Sequence, residues 1–450
     1  MLIFNVKFDR ISLGDIMNER NTLKSNNGFL EIGGVKAVDL AKEYGTPLYV
    51  FDREYVKQMC NVFSTSLKNE YEDYGFISYA SKAFCCKEIY RIIKDYNLGC
   101  DVVSDGELFT ALSTGFSSDN IIYHGNNKTK TELQNAVKNK VKYIVIDSEA
   151  EIDYLDYLCS EHNVAQEVLI RVNPGVEAHT HEFIQTAKTD SKFGFSISNG
   201  DAERFIKKVL SKKNLNLVGL HCHIGSQIFE TESFVLAVEK MTDFYKYCKD
   251  VLNVEFSVLD LGGGFGIYYS GDDVKFKPSD YSLYVKVICE KLKECISNKG
   301  INKPFLILEP GRAIVGEAGI TLYTVGSVKS IKDVKDYLSI DGGMFENPRF
   351  ALYQAKYSVV SADKLDKENT HKYSIAGKCC ESGDIIAENV YLPEINAGDV
   401  LAVLSTGAYN YSMASNYNRN LIPTVVMVEN GKSKVIVKGQ TIEDILRNDV

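Results

Sequence analysis

The sequence predicts an α/β protein: a (β/α)8 barrel of the TIM type, joined to a mostly β C-terminal domain completed by an N-terminal strand. Three observations carry this. Between residues 76 and 310, a short aliphatic run, a polar or glycine turn and a helically periodic stretch follow one another repeatedly. Chemically loaded side chains collect at the C-terminal ends of those runs, which in a barrel converge on one mouth. The flanks lose the alternation and show hairpin signals instead.

The apolar runs are Ile77 to Ala80, Cys100 to Val103, Ile121 to Tyr123, Tyr143 to Ile146, Val168 to Val172, Leu217 to Leu220, Val258 to Leu261 and Phe305 to Leu308. Near-continuous apolar strands suit a parallel sheet covered on its outer face. The intervening segments are amphipathic: Ser148 to His162 repeats Ile152, Leu155 and Leu158, and Ser148 with Glu151 has the spacing of a capping box. An open doubly wound sheet is the competing arrangement. The barrel is favoured because Lys82, Ser104, His124, Asp147, Arg171, His223, Gly262 to Gly264 and Glu309 all lie at or just past strand ends.

Residues 51–312 are therefore expected to form the barrel and 313–450 the β domain, with 28–50 contributing a strand near Phe29 to Val35 and a helix. Residues 1–27 are an extension without assignment. In the C-terminal third, Asn430-Gly431 between Val425 to Glu429 and Lys434 to Lys438 signals a hairpin. Thr321 to Val325, Tyr373 to Ile375 and Val400 to Leu404 are further strand candidates, and Ser361 to Thr370 reads as a charged loop.

Composition narrows the function. With 51 basic and 60 acidic side chains the net charge is -9, which disfavours nucleic acid and anionic membrane as partners. No apolar run reaches the ~20 residues that cross a bilayer. Eleven cysteines, an odd number with adjacent pairs at Cys85-Cys86 and Cys379-Cys380, suggest reduced thiols in a cytoplasmic protein without a targeting signal. Neither Cys-x-x-Cys nor His-x-x-x-His spacing occurs, so no metal site is expected.

Four elements at the barrel mouth bear on chemistry, and each alone has a plain structural explanation. Lys82 could be a solvated lysine, or an amine that condenses with an aldehyde. Gly262-Gly263-Gly264-Phe265-Gly266 could be a tight turn, or a backbone cradle for phosphate. Glu309-Pro310-Gly311-Arg312 could hold a structural ion pair. His221 and His223 share a face by alternation; His221 reads as a core residue, His223 as a ring that can stack on a flat ligand. An aldehyde for Lys82, a phosphate for the glycine loop, an aromatic ring for His223 and a protonated ring nitrogen for Glu309 together describe pyridoxal 5'-phosphate.

At these residues the chain resembles the diaminopimelate decarboxylases, within the barrel-type pyridoxal phosphate group that also holds ornithine and arginine decarboxylases. The resemblance runs from about Gly28 to the C-terminus through Tyr79-Ala80-Ser81-Lys82-Ala83, Asp190-Ser191-Lys192-Phe193-Gly194, His221 to Gln227, Gly262 to Gly266, Glu309 to Arg312, Cys380-Glu381-Ser382-Gly383-Asp384 and Gly407-Ala408-Tyr409. It implies that Lys82 binds the cofactor aldehyde, His223 stacks on its ring and Glu309 pairs with its nitrogen. Ser226, Gly262, Gly263, Gly264, Gly311, Arg312 and Tyr409 would complete the cofactor site. By the same resemblance Arg312, Arg349, Tyr353 and Tyr409 contact substrate, Glu381 takes its distal ammonium, and Cys380 donates a proton from the second subunit of a homodimer.

The implied reaction is decarboxylation of meso-diaminopimelate to lysine. Ornithine lacks a far carboxylate and would leave two arginines unpaired, a cost of several kcal/mol per buried charge. Phe84 and Ala187 depart from the family pattern, where Asn and Gly are usual, without replacing a chemical group. The alternatives are an ornithine, arginine or carboxynorspermidine decarboxylase of this fold, a barrel aldolase using Lys82, and an inactive binding homologue.

Overall fold

The computed structural model describes residues 23–176, 191–271, 273 and 277–450; Ala187 and Asp190 lie outside them. The chain divides into two compact units: one of Gln58–Gly266 and Pro278–Ile314, the other of Met1–Lys57, Ile267–Lys277 and Val315–Val450.

The first unit is the barrel. Its strands are β1 (Gly75–Ala80), β2 (Gly99–Val102), β3 (Ile121–Tyr123), β4 (Tyr143–Ile146), β5 (Gln166–Asn173), β6 (Leu215–His221), β7 (Val258–Asp260) and β8 (Phe305–Leu308). All eight expected runs are thus strands, each pairing in parallel with the next. The pairing of Leu306 on β8 with Gly75 on β1 closes the ring. Ile122, Tyr143, Val145, Leu169, Val218, Val258 and Ile307 form one buried cluster, joining six of the eight strands. Fully burying one such aliphatic side chain contributes about 1.5–3 kcal/mol, so the ring is held mainly by its own filling.

The helices follow the amphipathic segments, and two N-termini show what decides a cap. Thr129 and Glu132 form a reciprocal capping box at Lys130–Lys138. The box expected at Ser148 and Glu151 does not form, although the helix Glu149–Glu161 does. Glu151 is instead drawn inward to Lys128, at 2.9 Å, because a buried ammonium is a stronger partner than an exposed backbone amide.

The second unit is mostly β. Its sheet runs in the order Ile385–Leu392, His371–Ala376, Lys335–Ile340, Gly319–Ile331, Leu48–Asp52, Val425–Glu429 and Lys432–Val437. Val400–Val403 pairs with both Gly319–Ile331 and Val359–Ser361. The hairpin at Asn430-Gly431 is present, with φ of 51° and 74° as its two-residue turn requires. One expectation changes: the N-terminal strand that enters the large sheet is Leu48–Asp52, not the segment near Phe29. Leu48–Asp52 is buried at every residue, as a central strand must be, whereas Phe29–Ile32 buries only alternate residues. Phe29–Ile32 forms a separate three-stranded sheet with Leu23–Asn26 and Val35–Lys36, so part of the unassigned extension is also ordered as a strand. Leu23, Leu30 and Ile32 still pack into the core that contains Val50, Leu322 and Val428.

Candidate active site

At the C-terminal end of the barrel strands lies a cavity of about 400 Å³, whose walls include Lys82, His124, Arg171, His221, His223 and Glu309. Lys82 sits in the single turn Ser81–Ala83 directly after β1. Its Nζ is 3.3 Å from Oδ2 of Asp101, a fully buried residue of β2 whose Oδ1 accepts the Ser81 N–H at 2.8 Å. Burial raises the Asp101 pKa and the ammonium opposes it. Asp101 was not anticipated; a lone carboxylate inside the apolar run Cys100 to Val103 is the signal that could have found it.

Glu309 follows β8 and is buried between two imidazoles. His124 Nε2 lies 2.7 Å from Oε1 and His221 Nε2 lies 3.4 Å from Oε2. Burial alone would raise its pKa, but His124 and His221 hold the carboxyl well below the usual range. Asp260, beside it, behaves oppositely. Burial and then the charge of Glu309 push Asp260 well above the carboxylate range, while its Oδ1 accepts the Gly262 N–H at 2.9 Å. Two neighbouring buried carboxyls are thus driven in opposite directions, Glu309 toward the charged form and Asp260 toward the protonated one. Donor atoms of His124, His221, Asp260 and Glu309 all lie within 4.8 Å of one another.

His221, expected as a core residue, is fully buried and also lines the cavity; burial pushes its pKa down to about 3, leaving a neutral ring. His223 follows β6. Burial and the nearby Lys82 ammonium keep it neutral, and its Nδ1 accepts the Gly263 N–H at 3.2 Å. A fixed, neutral imidazole can lie against a flat ring without electrostatic conflict.

The glycine loop cannot carry side chains. Gly262 and Gly264 have φ of 67° and 107°, and a Cβ on either would lie 2.6 Å from a backbone oxygen, of Cys222 and Gly225 respectively. A Cβ on Gly263 would clash with the Glu309 carbonyl. At Gly311 a Cβ would come within 2.6 Å of Ala80 Cβ. Arg312 Nη2 donates to Ser226 Oγ at 3.0 Å, so the structure brings these two expected site residues together. Ser104 instead caps the helix Asp105–Leu112, and the departure Phe84 is fully buried, its carbonyl accepting the Tyr79 hydroxyl at 2.7 Å.

The remaining expected residues belong to the β unit. Arg349 is buried, donates to Tyr357 Oη at 2.8 Å and lies over the Tyr269 ring at 4.7 Å. Among the described residues no carboxylate lies within ion-pair distance of it. Tyr353 ends the helix Arg349–Tyr353, and Tyr409 holds a positive φ of 61°. Cys380 and Glu381 are exposed, on a loop organised by buried Asp384. Asp384 accepts the N–H of Met344 at 2.6 Å and of Cys379 at 2.7 Å, while the Cys380 N–H goes to Asn418 Oδ1 at 2.8 Å. All eleven cysteines are free thiols. Among the described residues no helix is long and apolar enough to cross a membrane.

Comparison with known proteins agrees with this geometry. Residues 56–316 match the pyridoxal-binding domain of the pyridoxal-dependent decarboxylases. The chain is 48% identical over 432 residues to diaminopimelate decarboxylase of Bacillus subtilis, covering 95% of this chain and 96% of that one. It is 45% identical over 430 residues to the diaminopimelate decarboxylase of Staphylococcus aureus, covering 95% and 99%. A solved diaminopimelate decarboxylase of M. jannaschii in complex with L-lysine superimposes with a TM-score of 0.89 at 33% identity, covering 96% and 98%. The chain belongs to the diaminopimelate decarboxylase family.

Proposed function

We propose that, as a member of that family, this chain decarboxylates meso-2,6-diaminopimelate to L-lysine and carbon dioxide with pyridoxal 5'-phosphate as cofactor. The observation that carries the reading is that Lys82, His223 and Glu309 all line one cavity. The residues fit this cofactor: an amine for its aldehyde, a flat neutral imidazole for its ring, a buried carboxylate for its nitrogen, and a glycine loop after β7 where side chains would clash with the backbone.

When bound, the cofactor supplies an electron sink for the electron pair left at Cα as carbon dioxide departs. Lys82 is assigned the amine that holds the cofactor and yields to the substrate's amine; Asp101 steers it. Glu309, kept ionised by His124 and His221, holds a proton on the ring nitrogen. Ser226, Gly262, Gly263, Gly264, Gly311, Arg312 and Tyr409 are assigned to cofactor binding. Arg312, Arg349, Tyr353 and Tyr409 are assigned to substrate, Arg349 because a buried guanidinium without a carboxylate partner among the described residues invites one from a ligand. Glu381 would take the distal ammonium, and the Cys380 thiol would deliver the proton that replaces the departing carboxylate. Their exposure on the isolated chain suits a cytoplasmic homodimer in which the second subunit completes each site.

The test is an absorption spectrum of purified protein, followed by meso-diaminopimelate with lysine and carbon dioxide measured. A visible cofactor band, absent in Lys82→Ala, together with lysine formation is expected. No band after added cofactor, or turnover of ornithine in preference to meso-diaminopimelate, would overturn the reading.

A further inference from the structure

A second set of buried charges in the barrel takes no part in the chemistry above. The Lys128 ammonium is 1% exposed and meets Glu151 Oε2 at 2.9 Å, with Glu151 itself 3% exposed. Its Nζ also donates to the carbonyls of Gly125 and Val145, both at 2.7 Å. An ammonium has three N–H donors, and here they go to three separate pieces of chain: the loop after β3, strand β4 and the helix Glu149–Glu161.

The contacts continue toward the cavity. Glu151 Oε2 also accepts the Asp147 N–H at 3.4 Å. Asp147 Oδ1 accepts the Gly194 N–H at 2.6 Å, and its Oδ2 lies 3.6 Å from Arg171 Nη1. The Arg171 guanidinium in turn lies over the Phe193 ring at 4.3 Å. Gly125, Asn126, Arg171 and Phe193 form one wall of the cavity. The links from Lys128 to that wall are hydrogen bonds, the Arg171–Asp147 ion pair and a stacked ring.

We propose that Lys128 is a positioning residue for the cofactor, bracing the wall made by Gly125, Asn126, Arg171 and Phe193. The inference rests on the reading of this cavity as the cofactor site. A buried ion pair is by itself a poor means of stabilising a barrel, since desolvation offsets most of the attraction and an apolar pair would pack as well. What an apolar pair lacks is a fixed direction for the Gly125 carbonyl and a carboxylate for the Asp147 amide. Lys128 therefore sets the shape of the wall more than it adds to the stability of the fold.

Three variants separate these roles: Lys128→Met, Glu151→Gln, and the two combined. Lys128→Met strands the Glu151 carboxylate and should lower the melting temperature; the double variant removes that charge and should recover most of it. Cofactor-stripped protein is titrated with pyridoxal 5'-phosphate and the bound absorbance band followed. Without the Gly125 tether, the double variant should bind about tenfold more weakly despite its recovered melting temperature. Glu151→Gln alone, with both carbonyl contacts kept, should show a smaller loss of about two- to threefold. Should Lys128→Met fail to fold, the Glu151→Gln titration decides. Wild-type affinity in whichever variants fold, or affinity falling only in step with melting temperature, would overturn the inference. A wild-type protein that takes up no cofactor would overturn the reading of the site itself, a result distinct from either.

Discussion

The barrel mouth and the loops of the β unit hold charged residues in opposite ways. At the barrel mouth the charged groups are already partnered within the protein: half-buried Lys82 with buried Asp101, Glu309 between the His124 and His221 imidazoles, Lys128 with Glu151, Arg171 with Asp147. In the β unit Arg349 is buried without a carboxylate among the described residues, and Glu381 and Cys380 stand exposed. On the proposed function, the difference is that between a resident and a transient ligand. A cofactor that stays needs a bed whose charges are fixed in advance, because reorganisation on each turnover would cost activation energy. A substrate that comes and goes is best met by charges left open until it arrives.

Variants can break this contrast. The largest effect is expected on the barrel side: Lys82→Ala should abolish the cofactor band and lower decarboxylation by at least about a thousandfold. Cys380→Ala should lower kcat by about 10²–10⁴-fold, the usual range for a lost proton donor, while the cofactor spectrum stays that of the wild type. A changed spectrum there would blur the division of labour. Asp384→Asn acts one step back. Gly343 and Gly377 leave the space that the Asp384 carboxylate fills, and it fixes two amides next to the Cys380 loop. The amide should cost about 1–3 kcal/mol of stability and lower kcat with cofactor affinity unchanged, measured by thermal unfolding and steady-state kinetics.

The smallest effect sharpens the barrel side. His221 is held neutral, with its pKa pushed down from ~6.5 to about 3. Between those values the unfolded chain binds a proton that the native ring does not, so its burial costs progressively more stability as the pH falls through that window. Replacing it, in His221→Gln, should narrow the stability gap between wild type and variant from pH 7 toward pH 4, followed by denaturant unfolding at each pH. Parallel curves would mean that the ring is not held neutral.

Much of this was legible in the residues. All eight barrel strands stood out because a parallel sheet buried on both faces needs continuous apolar runs, and strand ends in a barrel share one mouth. Less was visible where tertiary contacts override a local pattern. Ser148 and Glu151 have the spacing of a capping box, yet Lys128, distant in sequence, takes the carboxylate. Asp101 was hidden inside a strand, and His221, read as core filling, is buried as expected but also lines the cavity. Leu48–Asp52 was passed over for Phe29 to Val35, because a short continuous run before a helix resembles a linker until its partners on both sides are known. Distances between groups on different strands are not written in local sequence, so the pairing of Glu309 with two histidines emerged only with the fold.

The contrast between a prepared bed and open charges is tested most directly by Arg349→Met, with both ligands measured on the same protein. KM for meso-diaminopimelate should rise about ten- to hundredfold, the worth of a charge-assisted contact, while the dissociation constant for pyridoxal 5'-phosphate stays at the wild-type value. An unchanged KM, or a loss of cofactor affinity as large as the loss for substrate, would contradict the account.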